Sequence, residues 1–205
     1  MFSEHAKIVF YMAWRFFLWI IRFEKNVVRK QRESNFKPQE IIMKLSFKEG
    51  DWVDFNTWTS EFGVSGQSGI NVSKANRLIV CITDNPPYED DWYSNNDWDG
   101  VRFIGQGLKD HQTMDKANKA LKETFNTNTP IHVFRKILNE DSKSRYLYCG
   151  IFILKTLPRQ ATQKDINGKE RDVFVFNLAA KNVRLNDDVK NAMIKAKLKI
   201  RLINN

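Results

Sequence analysis

Seven residues, Arg77–Thr83 (RLIVCIT), constrain the fold more than any other stretch. After Arg77 the run is continuously apolar and rich in β-branched residues, so it reads as a buried strand. Asp84-Asn85-Pro86-Pro87 ends it, because proline removes a backbone donor and Asp/Asn favour turns. A buried strand needs other strands beside it, and the chain offers several. Val101–Ile104 is a short strand closed by Gly105. Ile131–Leu138 (IHVFRKIL) alternates in part. Arg145–Leu154 (RYLYCGIFIL) follows a polar turn at Asn139–Ser144, with Gly150 marking a bulge. Asp172–Leu178 (DVFVFNL) alternates cleanly.

Between these runs lies one firm helix. Met114, Ala117, Leu121 and Phe125 recur at helical spacing, which predicts an amphipathic helix over Thr113–Phe125. Ala161–Arg171 reads as a polar loop with a turn at Asn167-Gly168. Gly63–Ile70 (GVSGQSGI) reads as a Gly/Ser loop whose three glycines allow close backbone approach. Gly50 suggests a turn before Trp52-Val53. Asp187–Leu202 carries Lys190, Lys195, Lys197, Lys199 and Arg201 among apolar residues and reads as a basic helix turning into a strand. Strands mixed with one internal helix predict an α+β domain, its sheet curled or barrel-like, with the helix packed on it and a basic C-terminal element.

A chain of 205 residues fits one domain with extensions, and its 42% hydrophobic and 13% aromatic content supports a real core. The divisions expected are 1–42, an extension; 43–180, the domain; and 181–205, a basic tail. The net charge of +9 is unevenly placed. Residues 1–42 hold 8 Lys/Arg against 4 Asp/Glu, and residues 181–205 hold 7 against 2, which leaves 18 against 18 in between. Basicity alone therefore argues little for nucleic acid binding by the central domain. Cys81 and Cys149 sit in apolar runs and read as buried reduced thiols, with a disulfide as the alternative that no further signal supports. No Cys/His set has zinc spacing, and neither a metal nor another cofactor is expected.

Ile8–Phe23 is the most hydrophobic stretch. It is shorter than the roughly 20 apolar residues a spanning helix needs, and it contains Arg15. A membrane-surface helix using the neighbouring basic residues is one reading. The other is that the natural start is Met43, with residues 1–42 translated from upstream.

The stretch richest in residues that cost stability is Tyr88–Leu121. Glu89, Asp90 and Asp91 stand together between Tyr88 and Trp92. A charge run is usually a solvated face, but an aspartate can also accept a hydrogen bond from the exocyclic amine of cytosine. Aromatic rings can sandwich a base, each stack contributing about 1–3 kcal/mol. Tyr88 and Phe103 flank a Gly-containing turn that could bring them face to face. Gly105 and Gly107 would let the backbone around Gln106 approach a nucleic acid.

The ordered set Tyr88-Glu89-Asp90-Asp91, Trp98-Asp99-Gly100, Phe103-Ile104-Gly105-Gln106-Gly107, Asp110-His111-Gln112, Asn118-Lys119-Ala120-Leu121, Ile131–Arg135 and Arg145–Gly150 resembles the SRA (SET and RING-associated, YDG) domain. The glycine loop at Gly66–Ile70 fits the same pattern. The compact spacing is most similar to SRA-like readers of bacterial modification-dependent, HNH-type restriction endonucleases. Phe103 stands where the family has tyrosine, and His111 is inserted in its Asp-Gln pair. The resemblance implies an SRA/PUA-like fold and a non-catalytic reader of modified cytosine, 5-methylcytosine included, in double-stranded DNA. Such a reader works by base flipping and serves restriction and bacterial defence from the cytoplasm. It further implies Tyr88 and Phe103 as the stacking pair and Asp91 as the base acceptor; Asn118 reads as a residue that caps or braces its helix rather than one that touches DNA. Arg77, Arg102 and Lys109 are candidates for phosphate contacts. A separate partner nuclease would act on what the reader finds. Two other readings stay open: a membrane-associated protein using the fold as scaffold, and a small metal-dependent nuclease built around Asp141-Ser142-Lys143.

Overall fold

A computed structural model describes residues 43–138 and 144–203. Ile8–Phe23 and Asp141-Ser142-Lys143 lie outside the described residues. Among the described residues the elements run β1 (Trp52–Val53), α1 (Phe55–Phe62), β2 (Ile70–Ser73), β3 (Leu78–Thr83), β4 (Asp91–Ser94) and β5 (Asp99–Ile104). There follow α2 (Lys116–Thr127), β6 (Ile131–Leu138), β7 (Ser144–Leu154), β8 (Arg159–Lys164), β9 (Glu170–Ala180), α3 (Asp187–Lys195) and β10 (Arg201–Leu202). No helix among these residues is long and apolar enough to cross a membrane.

The strands form one sheet in the order β10-β4-β5-β9-β7-β6-β3-β2, with β1 added to β7 and β8 to β9. Most neighbours are antiparallel; β3–β6 and β10–β4 are parallel. The sheet curls without closing, so the expected α+β class holds and "barrel-like" describes the curl rather than a closed barrel. Every residue of β3 is buried. Ile79 and Cys81 face one core with Val101, Phe103, Leu121, Val133 and Phe176. Leu78, Val80 and Ile82 face a second with Trp58, Phe62, Phe134 and Tyr148. Burial on both faces is why this run does not alternate.

Several elements differ from the expectation. α1 begins at Asp54, whose Oδ1 accepts the Thr57 N–H at 2.9 Å, and it ends at Gly63 in the left-handed region (φ 62°). It buries Trp58 and Phe62, four residues apart on one helix face. β4 was not expected, because DWYS is short and half polar. β8 corrects the polar-loop reading of Ala161–Arg171: Arg159–Lys164 pairs with β9. Its side chains are mostly exposed, so no apolar alternation marks it. The bulge at Gly150 is present: Val133 opposes Gly150 while Phe134 opposes Tyr148, which leaves Cys149 extra. Gly150 has φ +100°, and a Cβ there would lie 2.4 Å from Glu49 Oε1.

The basic C-terminal stretch forms a helix and then a strand, as its pattern suggested. α3 buries Val189, Ala192 and Met193 in the first core, and β10 pairs with β4. Asp99, 1% exposed, ties this segment down: it accepts the Leu185 N–H at 2.9 Å and meets Lys190 Nζ at 3.2 Å.

Candidate functional site

The Gly105-Gln106-Gly107 turn leaves β5 with every backbone polar group committed. The Gly105 N–H donates to Phe174 O at 2.8 Å, and the Gly105 carbonyl accepts from Gln112 Nε2. The Gln106 N–H donates to Asn118 Oδ1 at 2.7 Å, while Asn118 Nδ2 returns a bond to the Gln106 carbonyl at 2.9 Å. The Gly107 N–H donates to the Tyr88 hydroxyl at 3.1 Å, and its carbonyl accepts from Arg171 Nη1. A Cβ on Gly105 would sit 2.8 Å from Gln112 Oε1 and 2.9 Å from Asn118 Oδ1. The close approach these glycines permit is therefore to the protein's own clamps. That differs from the expectation that Gly105, Gln106 and Gly107 offer free backbone to DNA. Asn118, expected to cap or brace its own helix, clamps the turn from α2 instead, while Asp115 holds the N-cap position. Gln112 stood out only as part of the Asp-Gln pair and Arg171 only as the end of a polar loop, since nothing short-range in the sequence marks either as a clamp.

Strand alternation separates the two aromatic rings. Phe103 points into the first core and is 2% exposed. Ile104, its neighbour, points the other way, toward Val173 and Val175, and Tyr88 packs on that side. The Tyr88–Phe103 sandwich is therefore not formed in this structure. Nor does Asp91 stand at its edge: it lies across from Arg102 in the β4–β5 ladder, with Nη1 2.6 Å from its Oδ2. Arg201 approaches the same oxygen at 3.9 Å, and Arg102 also stacks 5.0 Å from the Tyr93 ring centroid. Arg102 is thus held by its own neighbours. Arg77 is exposed at the β2–β3 turn with φ 52°, and Lys109 is exposed beside Gly107.

The acid that turns back onto the end of β5 is Asp90. Its Oδ1 accepts the Ile104 N–H at 2.7 Å, and its Oδ2 accepts the Asp84 N–H at 3.0 Å. Burial raises its pKa to about 7, even though both N–H groups favour the ionised form. Asp84 is raised by burial as well, against the pull of Arg135, whose Nε donates to it. Arg135 lies 5.1 Å from the Trp92 ring centroid and also reaches Met193 Sδ at 3.3 Å.

Asp90 joins the end of β3 to the end of β5, although β9, β7 and β6 lie between them in the sheet. The curl has brought the two limbs of the sheet together at this gap. Gly69, just ahead of β2, completes it: a Cβ there would be 3.9 Å from Phe103 Cζ, and its carbonyl accepts the Ile82 N–H at 2.8 Å. Asp90 holds the backbone N–H next to Phe103, and Gly69 lies against the Phe103 ring, whereas Tyr88 packs with Ile104 on the other side and Asp91 pairs with Arg102. Sequence marked the acid run but could not tell which acid turns inward, because that depends on where β4 begins.

Comparison with known proteins agrees with this architecture. No curated protein sequence matches the chain. Among solved structures, the type IV phosphorothioation-dependent restriction endonuclease ScoMcrA superposes with a TM-score of 0.52 at 15% identity. That match covers 77% of this chain and 32% of the other. The sulfur-binding and SRA domains of ScoMcrA, complexed with phosphorothioated DNA, give 0.51 at 15% identity, covering 78% and 48%. The SUVH5 SRA domain in complex with methylated CHH DNA gives 0.47 at 25% identity, covering 69% and 94%. The chain spans less than half the length of either ScoMcrA structure. The sequence profile of the ScoMcrA-like SRA domain matches residues 52–199, from β1 to just past α3, and the chain belongs to that family.

Proposed function

We propose that this protein reads modified cytosine in double-stranded DNA, holding the modified base flipped out of the duplex at the gap between the two limbs of the sheet. The observation that carries this reading is that Asp90 bridges the ends of β3 and β5 through the Asp84 and Ile104 N–H groups, with Gly69 against the ring of Phe103, within a chain of the SRA family. A carboxyl that titrates near neutrality can present either an acceptor or an O–H donor to the edge of a base. Phe103 offers an aromatic face once the gap opens, and Gly69 leaves room beside it. Asp90 takes the base-reading role here in place of Asp91. Tyr88 acts on the Gly107 turn, and its stacking on Phe103 would need a rearrangement when DNA binds.

Extruding a base costs a few kcal/mol, which the pocket must return. A single methyl group contributes about 0.8 kcal/mol, roughly a fourfold preference. Strong discrimination therefore rests on the fit of the gap and on Asp90. Catalysis is left to a separate nuclease within a restriction or defence system. The ScoMcrA relative is complexed with phosphorothioated DNA, so backbone sulfur is the second modification to test.

The test is fluorescence anisotropy with duplexes that differ at one position: plain cytosine, 5-methylcytosine, 5-hydroxymethylcytosine or a phosphorothioate linkage. Tighter binding to a cytosine-modified duplex is expected, with the preference lost in Asp90→Ala and largely kept in Asp91→Ala. Equal affinity for all four duplexes would sink the reading.

A further inference from the structure

Under the Gly107 turn lies a group of buried polar atoms without partners. Arg171 is 2% exposed. Its Nη1 donates to the Gly107 carbonyl, but its Nε and Nη2 have no hydrogen-bond partner among the described residues. Gln163 sits directly across from Arg171 in the β8–β9 ladder, and its Oε1 is also buried without a partner. So is Oε1 of Gln106, in the turn itself. The guanidinium lies 6.0 Å from the Tyr88 ring centroid. Asp165 is near enough for its carboxylate to feel the Arg171 charge, but its Oδ1 is committed to the N–H groups of Asn167 and Lys169 at 2.8 Å each.

Each buried polar group left unpaired costs about 1–3 kcal/mol, and a charged one more. Gathering several around a single guanidinium makes a site short of its ligand. The Nε–Nη2 edge is the side of arginine that matches two oxygens of one oxyanion. A glutamine amide can turn its NH2 toward such a group, since its oxygen and nitrogen exchange by a simple flip. We propose that Arg171, with Gln163 and Gln106 beside it, forms a binding site for a tetrahedral phosphate-type oxyanion, filled in the working complex by a DNA phosphodiester. Naming DNA as the source rests on the reader function proposed above; the oxyanion site itself does not. Arg171 Nε and Nη2 are buried, so admitting the oxyanion requires the exposed segment Leu108–Asp110, which follows Gly107, to move aside. Because the same arginine holds the Gly107 carbonyl, phosphate binding there couples the DNA backbone to the turn that Tyr88 also holds.

The experiment has two arms on the full chain. In the first, inorganic phosphate is titrated while the arginine Nε–H resonances are followed by NMR, with Arg171 assigned by the loss of its signal in Arg171→Lys. A saturable shift of the Arg171 Nε–H is expected, weakened several-fold in Gln163→Leu. No shift would overturn the site. In the second arm, affinity for a modified duplex is measured across salt concentration for wild type and Arg171→Gln. Loss of one phosphate contact lowers the salt slope by about one. A drop in affinity with the slope unchanged would confine Arg171 to bracing Gly107 and overturn the DNA assignment. Should Arg171→Gln fold poorly, Arg171→Lys, which keeps the charge but not the fork, replaces it in the second arm: weaker binding of the duplex is expected, and affinity equal to wild type would overturn the DNA assignment. A phosphate shift without any preference for modified DNA leaves the oxyanion site standing and removes the reader function.

Discussion

Asp90 concentrates the electrostatic cost of the site in one side chain, and its titration can be followed directly. In the folded chain it titrates near 7, against an ordinary value of 3.8. The folded state therefore keeps a proton that the unfolded chain has already released. Stability from this group is complete below the unfolded value, is lost as pH rises toward 7, and changes no further above that. His132 has the opposite sign. Burial lowers its pKa from 6.5 to about 4, so acid across that interval favours the unfolded chain. Asp90→Asn removes the first titration and leaves the second. The fall in Tm between about pH 5 and about pH 8 should accordingly be smaller in Asp90→Asn than in wild type. Equal falls in the two proteins would take Asp90 out of the explanation. At this scale the sequence was informative about residue types and not about direction. It exposed the acid run, Phe103 and the glycines, yet the inward turn of Asp90, rather than Asp91, is set by the β4–β5 register. Arg171 gave no signal at all, because its partners lie about sixty residues away in the chain.

Elements that bury a face were legible, and those that do not were missed. β3, β6, β7 and β9 carry apolar runs, and α2 carries a helical stripe whose Leu121 reaches the first core. β8 presents polar residues on both sides and exists because β9 extends past the core and offers it a ladder. α1 was hidden by its neighbours: Trp58 and Phe62 carry the helical spacing, but they sit in a short segment crowded with acids and other aromatics. The C-terminal helix shows how charge can mask packing. Its lysines drew the eye, while Val189, Ala192 and Met193 hold it in the core. Met193 is fully buried and lies against Arg135, so Met193→Ala should cost about 2–5 kcal/mol in urea denaturation. Ile194→Ala, one residue on and 71% exposed, should change stability by no more than about 0.5 kcal/mol. Similar costs for both would mean that α3 is not seated in the core as described.

For the whole molecule, the distribution of charge separates two kinds of DNA affinity that the proposed reading requires. The span from 43 to 180 is balanced, so under that proposal discrimination comes from the gap at Asp90 and Phe103 and not from a general field. The excess of basic residues lies at the two ends. One end, residues 187–202, is built into the sheet and the core through α3 and β10, and it brings Arg201 beside Asp91. The other end precedes Met43, ahead of β1, where the family match begins. Removing residues 1–42 takes away 8 basic and 4 acidic side chains and leaves every described strand of the sheet in the chain. Sequence-independent binding depends on phosphate neutralisation, whereas discrimination, as proposed, depends on the flipped base. A chain beginning at Met43 should therefore bind plain and modified duplexes more weakly by a common factor at low salt. That factor should shrink as salt rises, while the ratio of the two affinities stays constant. Affinities measured for both chains on both duplexes at several salt concentrations decide the matter. A ratio that collapses when residues 1–42 are removed would place the discriminating contacts outside the curled sheet and would overturn the site proposed at its gap.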